Sequence, residues 1–322
     1  MKDTEFAYAV ARVRSNENKL LSSATVESLI NSSDYNEALK LLADAGYENI
    51  DASNEDEILS KILKQAVELI YSSAPDDKCL DFLIVKNDYH NIKALIKCLV
   101  SDKNPEKLLL SPSIFDSKAI ENALKTKDYS ALPHFLAEHV REAYELVTKT
   151  MDGQLLEVFL DKKSIETSIL LAKESKDSFS VSLAELMCLI ADLKIALRCA
   201  KTVKDEDFIM KALAQSSMVD VRRLCSSSLD GADALSAYVD TLGYTSLSEA
   251  MKKGYACFER ACDDLIMEKV KDAKYQCLGI APLVAYYFAV DAEIKNVRIV
   301  LSCKKNGIDS DIIRERVRVL YA

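Results

Sequence analysis

The histidines, cysteines and neighbouring carboxylates of this sequence are its candidates for acid, base, nucleophile or metal-ligand chemistry. His134 and His139 are five residues apart. On a helix that spacing places them on different faces, whereas a zinc-binding helix needs histidines four apart with a glutamate after the first. Paired carboxylates such as Asp263-Asp264 are more typical of solvated helix faces and helix starts. These residues predict no catalytic site and no metal site.

Loops that bind phosphate groups are also missing from the sequence. Such loops need glycines that let backbone N–H groups approach the anion, and neither the G-x-x-x-x-G-K-[ST] nor the G-x-G-x-x-G pattern occurs. No Ser or Cys is accompanied by the histidine or the glycine-bearing turn typical of nucleophilic catalysis. We therefore expect no cofactor and a mechanical or binding role.

The nine cysteines are odd in number and contain no C-x-x-C pair, the closest two being Cys257 and Cys262. This usage indicates reduced and mostly buried thiols in a cytosolic protein rather than a disulfide framework. Cys98 and Cys199 are 101 residues apart beside apolar stripes, where a packed small side chain is more typical than a nucleophile.

Composition favours a helical protein with an acidic surface. The 322 residues contain 42 Lys and Arg against 51 Asp and Glu, a net charge of −9 that disfavours nucleic acid as a partner. Hydrophobic residues make up 49% of the chain, enough for a large core. Only 7 Gly and 5 Pro are present, so turns that need positive or fixed φ are few. The predicted class is all-α, with long helices and short loops.

No membrane span or signal peptide is expected. The longest apolar run, Ile280 to Val290, has 11 residues and includes Pro282, whereas a spanning helix needs about 20. Acidic residues occur early at the N-terminus, without the apolar segment of a signal peptide. The sequence predicts a soluble, cytoplasmic chain.

Three segments carry one apolar stripe each at helical spacing. Chain breaks are predicted after the stripes, at 101–107, 201–205 and 302–309. Capping boxes are predicted at Ser182, Ser246 and Asn54, each with a glutamate three residues later. The stripe residues are Val85, Tyr89, Ile92, Ile96 and Leu99; Leu186, Ile190, Leu193 and Leu197; and Leu283, Tyr287, Val290, Ile294, Val297 and Leu301.

The three stripes are related to each other by short motifs. Residues 91–93, 192–194 and 293–295 each read polar, aliphatic, lysine, with lysines separated by 101 and again by 101 residues. Ala-Leu pairs at 38–39, 131–132 and 234–235 precede them in the same order. Two markers with one approximate period predict three helical repeat units, at 1–110, 111–211 and 212–322. The alternative is that short Leu/Lys matches arise by chance in a helix-rich chain.

Several segments resemble the C subunit of bacterial and archaeal V/A-type ATP synthases, the counterpart of the d subunit of eukaryotic vacuolar ATPases. The resemblance extends in order over essentially the whole chain. The segments that carry it are FAYAVARVR at 6–14, DYHNIK at 88–93, AEIKNVRIVL at 292–301 and IRERVR at 313–318.

The resemblance implies three similar helical domains arranged as a funnel with pseudo-threefold symmetry. It further implies a non-catalytic rotor subunit, one copy per complex, on the cytoplasmic face of the membrane. Such a subunit is a socket that links the central shaft to the proteolipid ring without inserting into lipid. Whether the transported ion is H⁺ or Na⁺, and whether the machine makes or hydrolyses ATP, stays open.

Six basic residues near the chain ends are the candidate interaction site. We expect them to pair with the acids Glu293 and Glu315 or with a partner subunit, and the alternative for each is a solvated helix face with weak ion pairs. The residues are Arg12, Arg14, Lys295, Arg298, Arg314 and Arg316.

Two other classes compete with the rotor subunit. A helical-repeat adaptor unrelated to ATPases would hold a soluble partner in a concave surface. An all-helical enzyme that uses an unpaired Cys would need a thiol with a lowered pKa.

Overall fold

The computed structural model describes residues 2–321, which form helices and loops without any β-strand. The predicted all-α class is confirmed. The α-helices in chain order are α1 (Ala7–Glu17), α2 (Ser23–Asn31), α3 (Tyr35–Asp44), α4 (Glu55–Ser73), α5 (Asp81–Ser101), α6 (Ser117–Thr126), α7 (His134–Thr150), α8 (Gly153–Glu174), α9 (Ser178–Thr202), α10 (Glu206–Ala212), α11 (Val221–Leu229), α12 (Ala232–Thr241), α13 (Thr245–Lys253), α14 (Tyr255–Lys271), α15 (Ala281–Lys305) and α16 (Ser310–Arg316).

The chain forms two compact units. One comprises Met1–Asp77 together with Val239–Ala322, and the other comprises Lys78–Tyr238. In the first unit α15 packs against α4, α1, α3 and α14, while in the second α8 packs against α5, α7 and α9. The three repeat units at 1–110, 111–211 and 212–322 stay a prediction.

The predicted apolar stripes lie on the long helices α5, α9 and α15. Their residues are buried except Leu99, which is 36% exposed near the end of α5. The apolar run Ile280–Val290 forms the first half of α15 and is buried on every side, including its tyrosines and phenylalanine. It is therefore a core helix, and no helix among residues 2–321 has the length and apolar character needed to cross a bilayer.

Two of the three predicted capping boxes are wrong. Ser182 and Ser246 lie inside α9 and α13, whose N-cap residues are Asp177 and Tyr244. At α9 the Asp177 carboxylate accepts from the Ser180 N–H at 2.7 Å and starts the helix one turn earlier. The third box is correct in position only: Asn54 is the N-cap of α4, but its side chain makes no cap hydrogen bond.

The prediction that most cysteines are buried is confirmed, and all nine are free thiols in the structure. Seven are buried, and the two exposed ones are Cys257 and Cys277. Burial raises the pKa of the thiols of Cys188, Cys199 and Cys225, the opposite of what a nucleophilic cysteine needs.

Candidate functional site

The C-terminal ends of α5, α9 and α15 share one local arrangement. The carbonyl of a cysteine in the last turn accepts from a backbone N–H five residues later, and a residue with positive φ lies between the two. The three bonds run from Lys103 to Cys98 (2.9 Å), from Lys204 to Cys199 (3.3 Å) and from Ile308 to Cys303 (3.0 Å). The positive-φ residues are Asp102, Val203 and Gly307, with φ of 53°, 51° and 64°.

A polar side chain about two turns earlier on each long helix holds the chain segment that follows. The Asn91 amide accepts from the Leu110 N–H at 2.7 Å and donates to the Leu110 carbonyl at 3.0 Å. The Asn296 amide makes the same pair of bonds to Arg318, at 2.8 and 3.0 Å. On α9 the position is an acid, and Asp192 accepts from the Ala214 N–H at 2.9 Å. We call these three attachments the pinned ends.

A short helix with a side-chain N-cap packs on each of these three helices. α6 packs on α5, α11 packs on α9, and α2 packs on α15. Their N-cap side chains, Ser22, Asp116 and Asp220, each accept from backbone N–H groups of the first turn. α2 is tied to the third end by two further bonds, from the Ser310 hydroxyl to the Ile30 carbonyl (2.7 Å) and from the Lys304 ammonium to the Ser32 carbonyl (2.6 Å).

The pinned ends shift the alignment of the predicted third repeat unit by three residues. Their cysteines, and their polar side chains, are separated by 101 and then by 104 residues, not by 101 twice. Structurally, Arg298 and not Lys295 corresponds to Lys93 and Lys194. The motif at 293–295 has residue types similar to those at 91–93 and 192–194. On α15, however, it lies three residues, about one helical turn, before the position equivalent to those motifs.

Of the six predicted interaction residues, Arg12 and Arg14 lie on α1. Arg12 donates to the Ser73 hydroxyl at 2.9 Å and sits over the Tyr8 ring. Arg14 is only 28% exposed and pairs with Glu17 at 2.8 Å. It also donates to three backbone carbonyls and to the Tyr321 hydroxyl, so it joins α1 to the chain before α15 and to the C-terminal segment. The carbonyls belong to Ala273, Lys274 and Gln276.

The other four predicted residues lie on α15 and α16. Lys295 pairs with Asp291 one turn away at 3.0 Å, and Arg298 pairs with Asp56 at 3.4 Å. Arg314 joins α16 to α2 through Glu27 at 2.6 Å. The structure places Arg298 and Arg316 in one groove, and the residues that line this groove do not include the other four.

One of the two predicted acid partners, Glu293, lies in the core instead of pairing with the basic residues. Glu293 is buried, where it accepts from the Leu21 N–H at 2.5 Å and the Tyr47 hydroxyl at 2.6 Å, so it pairs with no arginine. Burial raises the pKa of its carboxyl. A carboxylate at this depth holds the loop before α2 and the segment after α3 onto α15, which is a structural role.

The groove that contains Arg298 and Arg316 also contains a third arginine that sequence reasoning missed as a candidate. Arg318 pairs with Asp263 on α14 at 3.1 Å, and its Nη1 donates to the Arg316 carbonyl at 2.5 Å. The repeated Arg-x-Arg pattern at 314, 316 and 318 was the signal available in the sequence. The groove lies between α14, α15 and α16 and has a volume of about 680 Å³.

The described residues offer no metal centre, since no group of three His, Cys, Asp or Glu side chains comes close enough to hold an ion. The two histidines considered as ligands have separate surroundings. His134 is exposed beside Glu138, whereas the Nδ1 of His139 bonds to the Tyr89 hydroxyl at 2.6 Å.

Comparison with known proteins places the chain in a family. The model of the ATP synthase (C/AC39) subunit family matches residues 9–316. The C subunit of the V-type sodium ATPase of Enterococcus hirae is 22% identical to this chain, covering 96% of it and 97% of the relative. The C subunit of the A-type ATP synthase of Methanocaldococcus jannaschii is 24% identical, covering 96% and 85%. The C subunit of the V-type ATP synthase of Thermus thermophilus is 21% identical, covering 97% and 98%. The chain belongs to the ATP synthase (C/AC39) subunit family.

Proposed function

We propose that the chain is a non-catalytic central-stalk subunit of a V/A-type ATP synthase or ATPase. It acts as a socket that links the central shaft to the membrane proteolipid ring and passes torque between ATP chemistry and ion translocation. It is peripheral, on the cytoplasmic side of the membrane, with one copy per complex.

The observation that carries this proposal is the threefold recurrence of the pinned ends in a member of this family. On each of α5, α9 and α15 a buried side chain, nine or ten residues before the end of the helix, holds the chain segment that follows, and a short helix packs against the long one. Three similar helical domains arranged as a funnel, with pseudo-threefold symmetry, would repeat one local arrangement three times. The packing of α2 on α15 further supports it, because it brings the first predicted repeat onto the last.

The pinned ends also suit a part that transmits torque. Close-packed helices have low compressibility and transmit strain. The segments after α5 and α15 are each held against the helix by two hydrogen bonds, so both backbone groups of the contacted residue are satisfied. A shaft helix in the central hollow would find helix faces to pack against, as in other helix-in-groove contacts.

The adaptor unrelated to ATPases, considered from the sequence, loses support because the family match spans residues 9–316. The cysteine enzyme is disfavoured by the raised pKa of three buried thiols.

An affinity purification from detergent-solubilised native membranes tests the proposal. The tagged chain should recover nucleotide-binding subunits and a proteolipid ring, with one copy of the chain per complex and ATPase activity in the eluate. Recovery of soluble partners alone, with no ATPase activity, would overturn the proposal. A variant with Arg12 and Arg298 both changed to Glu tests the predicted interaction residues, since unchanged assembly and coupling would remove these two from the site.

A further inference from the structure

A cavity bordered by α1, α4 and α15 contains polar groups that the packing of the helices does not explain. Its volume is about 600 Å³, and it opens to solvent. The residues that line it belong to the unit formed by the two ends of the chain. Two side chains of α15, Glu293 and Tyr286, line it beside an aliphatic wall, which comprises Leu20, Leu21, Ile62, Leu69 and Val290.

The hydroxyl of Tyr286 is an unpaired polar group among residues 2–321. Tyr286 is only 8% exposed, and its hydroxyl makes no hydrogen bond to any of these residues. Every fully buried side-chain nitrogen and oxygen in the same part of the chain has a partner, so this hydroxyl reaches the open space of the cavity. A tyrosine hydroxyl at this depth usually has a hydrogen-bond partner. Here the partner has to come from the contents of the cavity.

Glu293 is a buried acid without a cationic partner in the described part of the chain. One carboxyl oxygen accepts from the Leu21 N–H and the other from the Tyr47 hydroxyl. A carboxylate offers about four acceptor sites, so both oxygens can accept further hydrogen bonds. Among residues 2–321, no Lys, Arg or His nitrogen lies within 4.0 Å of it. A buried carboxylate in this state is costly, and a cation beside it would offset the cost.

The equivalent acid on α5 shows which part of this arrangement holds the fold together. Asp88 lies three residues before the asparagine of its pinned end, as Glu293 does, and accepts from the N–H groups of Ile114 and Phe115. Phe115 directly precedes the N-cap of α6, just as Leu21 directly precedes the N-cap of α2. Backbone donors are therefore sufficient for holding the short helix. That task does not account for the open cavity at Glu293.

The charges around the cavity differ in their exposure. The charged residues that line it are Glu293 and Lys19. Lys19 is exposed and its ammonium donates to the Asn16 Oδ1 at 3.0 Å, so solvent screens its charge. Glu293 is 5% exposed, where the lower dielectric strengthens its interaction with a charge that enters. The buried part of the cavity therefore favours a cation, and the aliphatic wall favours a hydrocarbon stem that carries it.

We propose that this cavity binds an ammonium group on an aliphatic stem. The ammonium donates to the remaining acceptor sites of Glu293 and to the hydroxyl oxygen of Tyr286, and the stem packs on the aliphatic wall. A free alkylamine and a lysine side chain of a partner subunit both supply this chemistry. The inference goes beyond the proposed function and does not depend on it, because the cavity is formed by this chain alone.

Binding of n-pentylammonium to the isolated full chain tests the proposal, with 1-pentanol as the probe that has the same stem without the charge. Nuclear magnetic resonance titration at pH 7.5 follows the Leu21 amide, whose N–H donates to Glu293. We expect n-pentylammonium to shift this signal and to bind at least about tenfold more tightly than 1-pentanol, because its hydrogen bonds are charge-assisted. Equal affinity of the two probes, or no shift at Leu21, would overturn the proposal.

Two variants test the assigned contacts. Glu293→Gln removes the charge and should weaken binding of n-pentylammonium at least about tenfold. Tyr286→Phe removes a hydroxyl that no residue among 2–321 binds, so the variant should fold normally and bind about threefold more weakly or worse. Tyr275→Phe changes an 89% exposed tyrosine of the same unit and should have no effect. Unchanged affinity in Tyr286→Phe, or in a folded Glu293→Gln, would overturn the proposal.

Carbodiimide coupling identifies the source of the ammonium group. The reagent activates a carboxyl group, which then forms an amide with an amine in contact. In protein purified from native membranes, an amide between Glu293 and a partner's lysine would identify a partner side chain as the occupant. No such amide, together with binding of n-pentylammonium, would identify a free amine. An amide between Glu293 and Lys19 would overturn the proposal, because the chain would then supply its own ammonium group.

Discussion

Of the three helices that carry the apolar stripes, α5 and α15 hold the chain segment that follows with an asparagine, and α9 holds it with an aspartate. The amides of Asn91 and Asn296 each accept from a backbone N–H and donate to the carbonyl of the same residue. Asp192 accepts from the Ala214 N–H, and its second oxygen lies 3.9 Å from the Cys188 thiol. An ionised carboxylate can only accept hydrogen bonds. The segment after α9 is therefore held by an ionisable group, whereas the segments after α5 and α15 are held by neutral amides.

The difference makes one pinned end sensitive to pH. Asp192 is 0% exposed, and burial raises the pKa of its carboxyl from the ordinary 3.8 to about 7. Asn91 and Asn296, at 1% and 0% exposed, do not titrate. The same backbone arrangement is therefore pH-independent at two ends and ionisable at the third, where deprotonation places a charge in the core.

The largest expected effect comes from removing one of the asparagine side chains that hold the following segment. Asn296→Leu keeps the side-chain size but leaves the N–H and carbonyl of Arg318 without their partners. We expect the free energy of unfolding to fall by about 2–3 kcal/mol, because two hydrogen bonds of a buried group are lost. Chemical unfolding measures this, and hydrogen exchange at the Arg318 amide should become faster. Asn122→Leu, at an exposed position of α6, is the control. Equal stability of the two variants would show that the amide does not hold the tail.

The second prediction concerns the buried negative charge of Asp192. Asp192→Asn should raise the free energy of unfolding at pH 8 by about 1–3 kcal/mol, because the neutral amide removes a buried ionised carboxyl. In the native protein the folded state binds the Asp192 proton more tightly than the unfolded state does. Stability therefore falls as pH rises from about 4 to about 7, and the gain of the variant should shrink as pH is lowered through the same window.

The reciprocal change completes the comparison. Asn91→Asp should destabilise the protein at pH 8, because the new carboxylate faces the Leu110 carbonyl that the amide now binds. Unfolding curves at pH 8, 6 and 4 measure both variants. If Asp192→Asn destabilises the protein equally at pH 8 and pH 4, the carboxylate stabilises the fold as an ionised acceptor. That result would contradict a raised pKa of Asp192.

The sequence allowed prediction of the helical class, the long helices and the breaks after them, since apolar spacing and scarce Gly and Pro are local signals. The register of the third repeat was not predictable in this way. Glu293-Ile294-Lys295 reads like Asn91-Ile92-Lys93, but the position of Asn91 is taken by Asn296, whose partner lies 22 residues further on. Asn296-Val297-Arg298 also reads asparagine, aliphatic, basic, so the local sequence offers two alignments and the tertiary hydrogen bonds of Asn296 select the second.

The sequence offered six basic residues as candidates but carried no information about their geometry, and their role as an interaction site stays a prediction. Arg14 contacts Ala273, which is 259 residues away in the chain, so its structural role could not be seen in the local sequence. Arg298 and Arg316 share a groove only because α16 folds back beside α15 and α14. Exposure and pairing depend on such long-range contacts, and sequence spacing carries no information about them.

A smaller effect on stability is expected from the residue with positive φ that follows each of these helices. The left-handed residue is Gly307 after α15 and Val203 after α9, with φ of 64° and 51°. A β-branched side chain in this region costs about 1–2 kcal/mol, and Val203 is 89% exposed, so little burial would be lost on its removal. After the greater chain entropy of glycine is counted, Val203→Gly should raise stability by about 1 kcal/mol. Thermal unfolding measures this, with the exposed Val100→Gly inside α5 as a control that should lower stability.

The smallest expected effect tests the corrected register. Lys93 pairs with Asp161 across helices at 2.7 Å with a side chain only 19% exposed, whereas Lys295 pairs with Asp291 within its own helix and is 48% exposed. If both lysines held equivalent positions, their removal would have similar effects. With the register of the pinned ends, Lys295→Ala should change the free energy of unfolding by less than about 0.5 kcal/mol, as exposed pairs within a helix do. Lys93→Ala should cost more, because it removes a contact between α5 and α8. Unfolding curves of the two variants decide the matter, and a larger loss from Lys295→Ala would restore the alignment of 293–295 with 91–93.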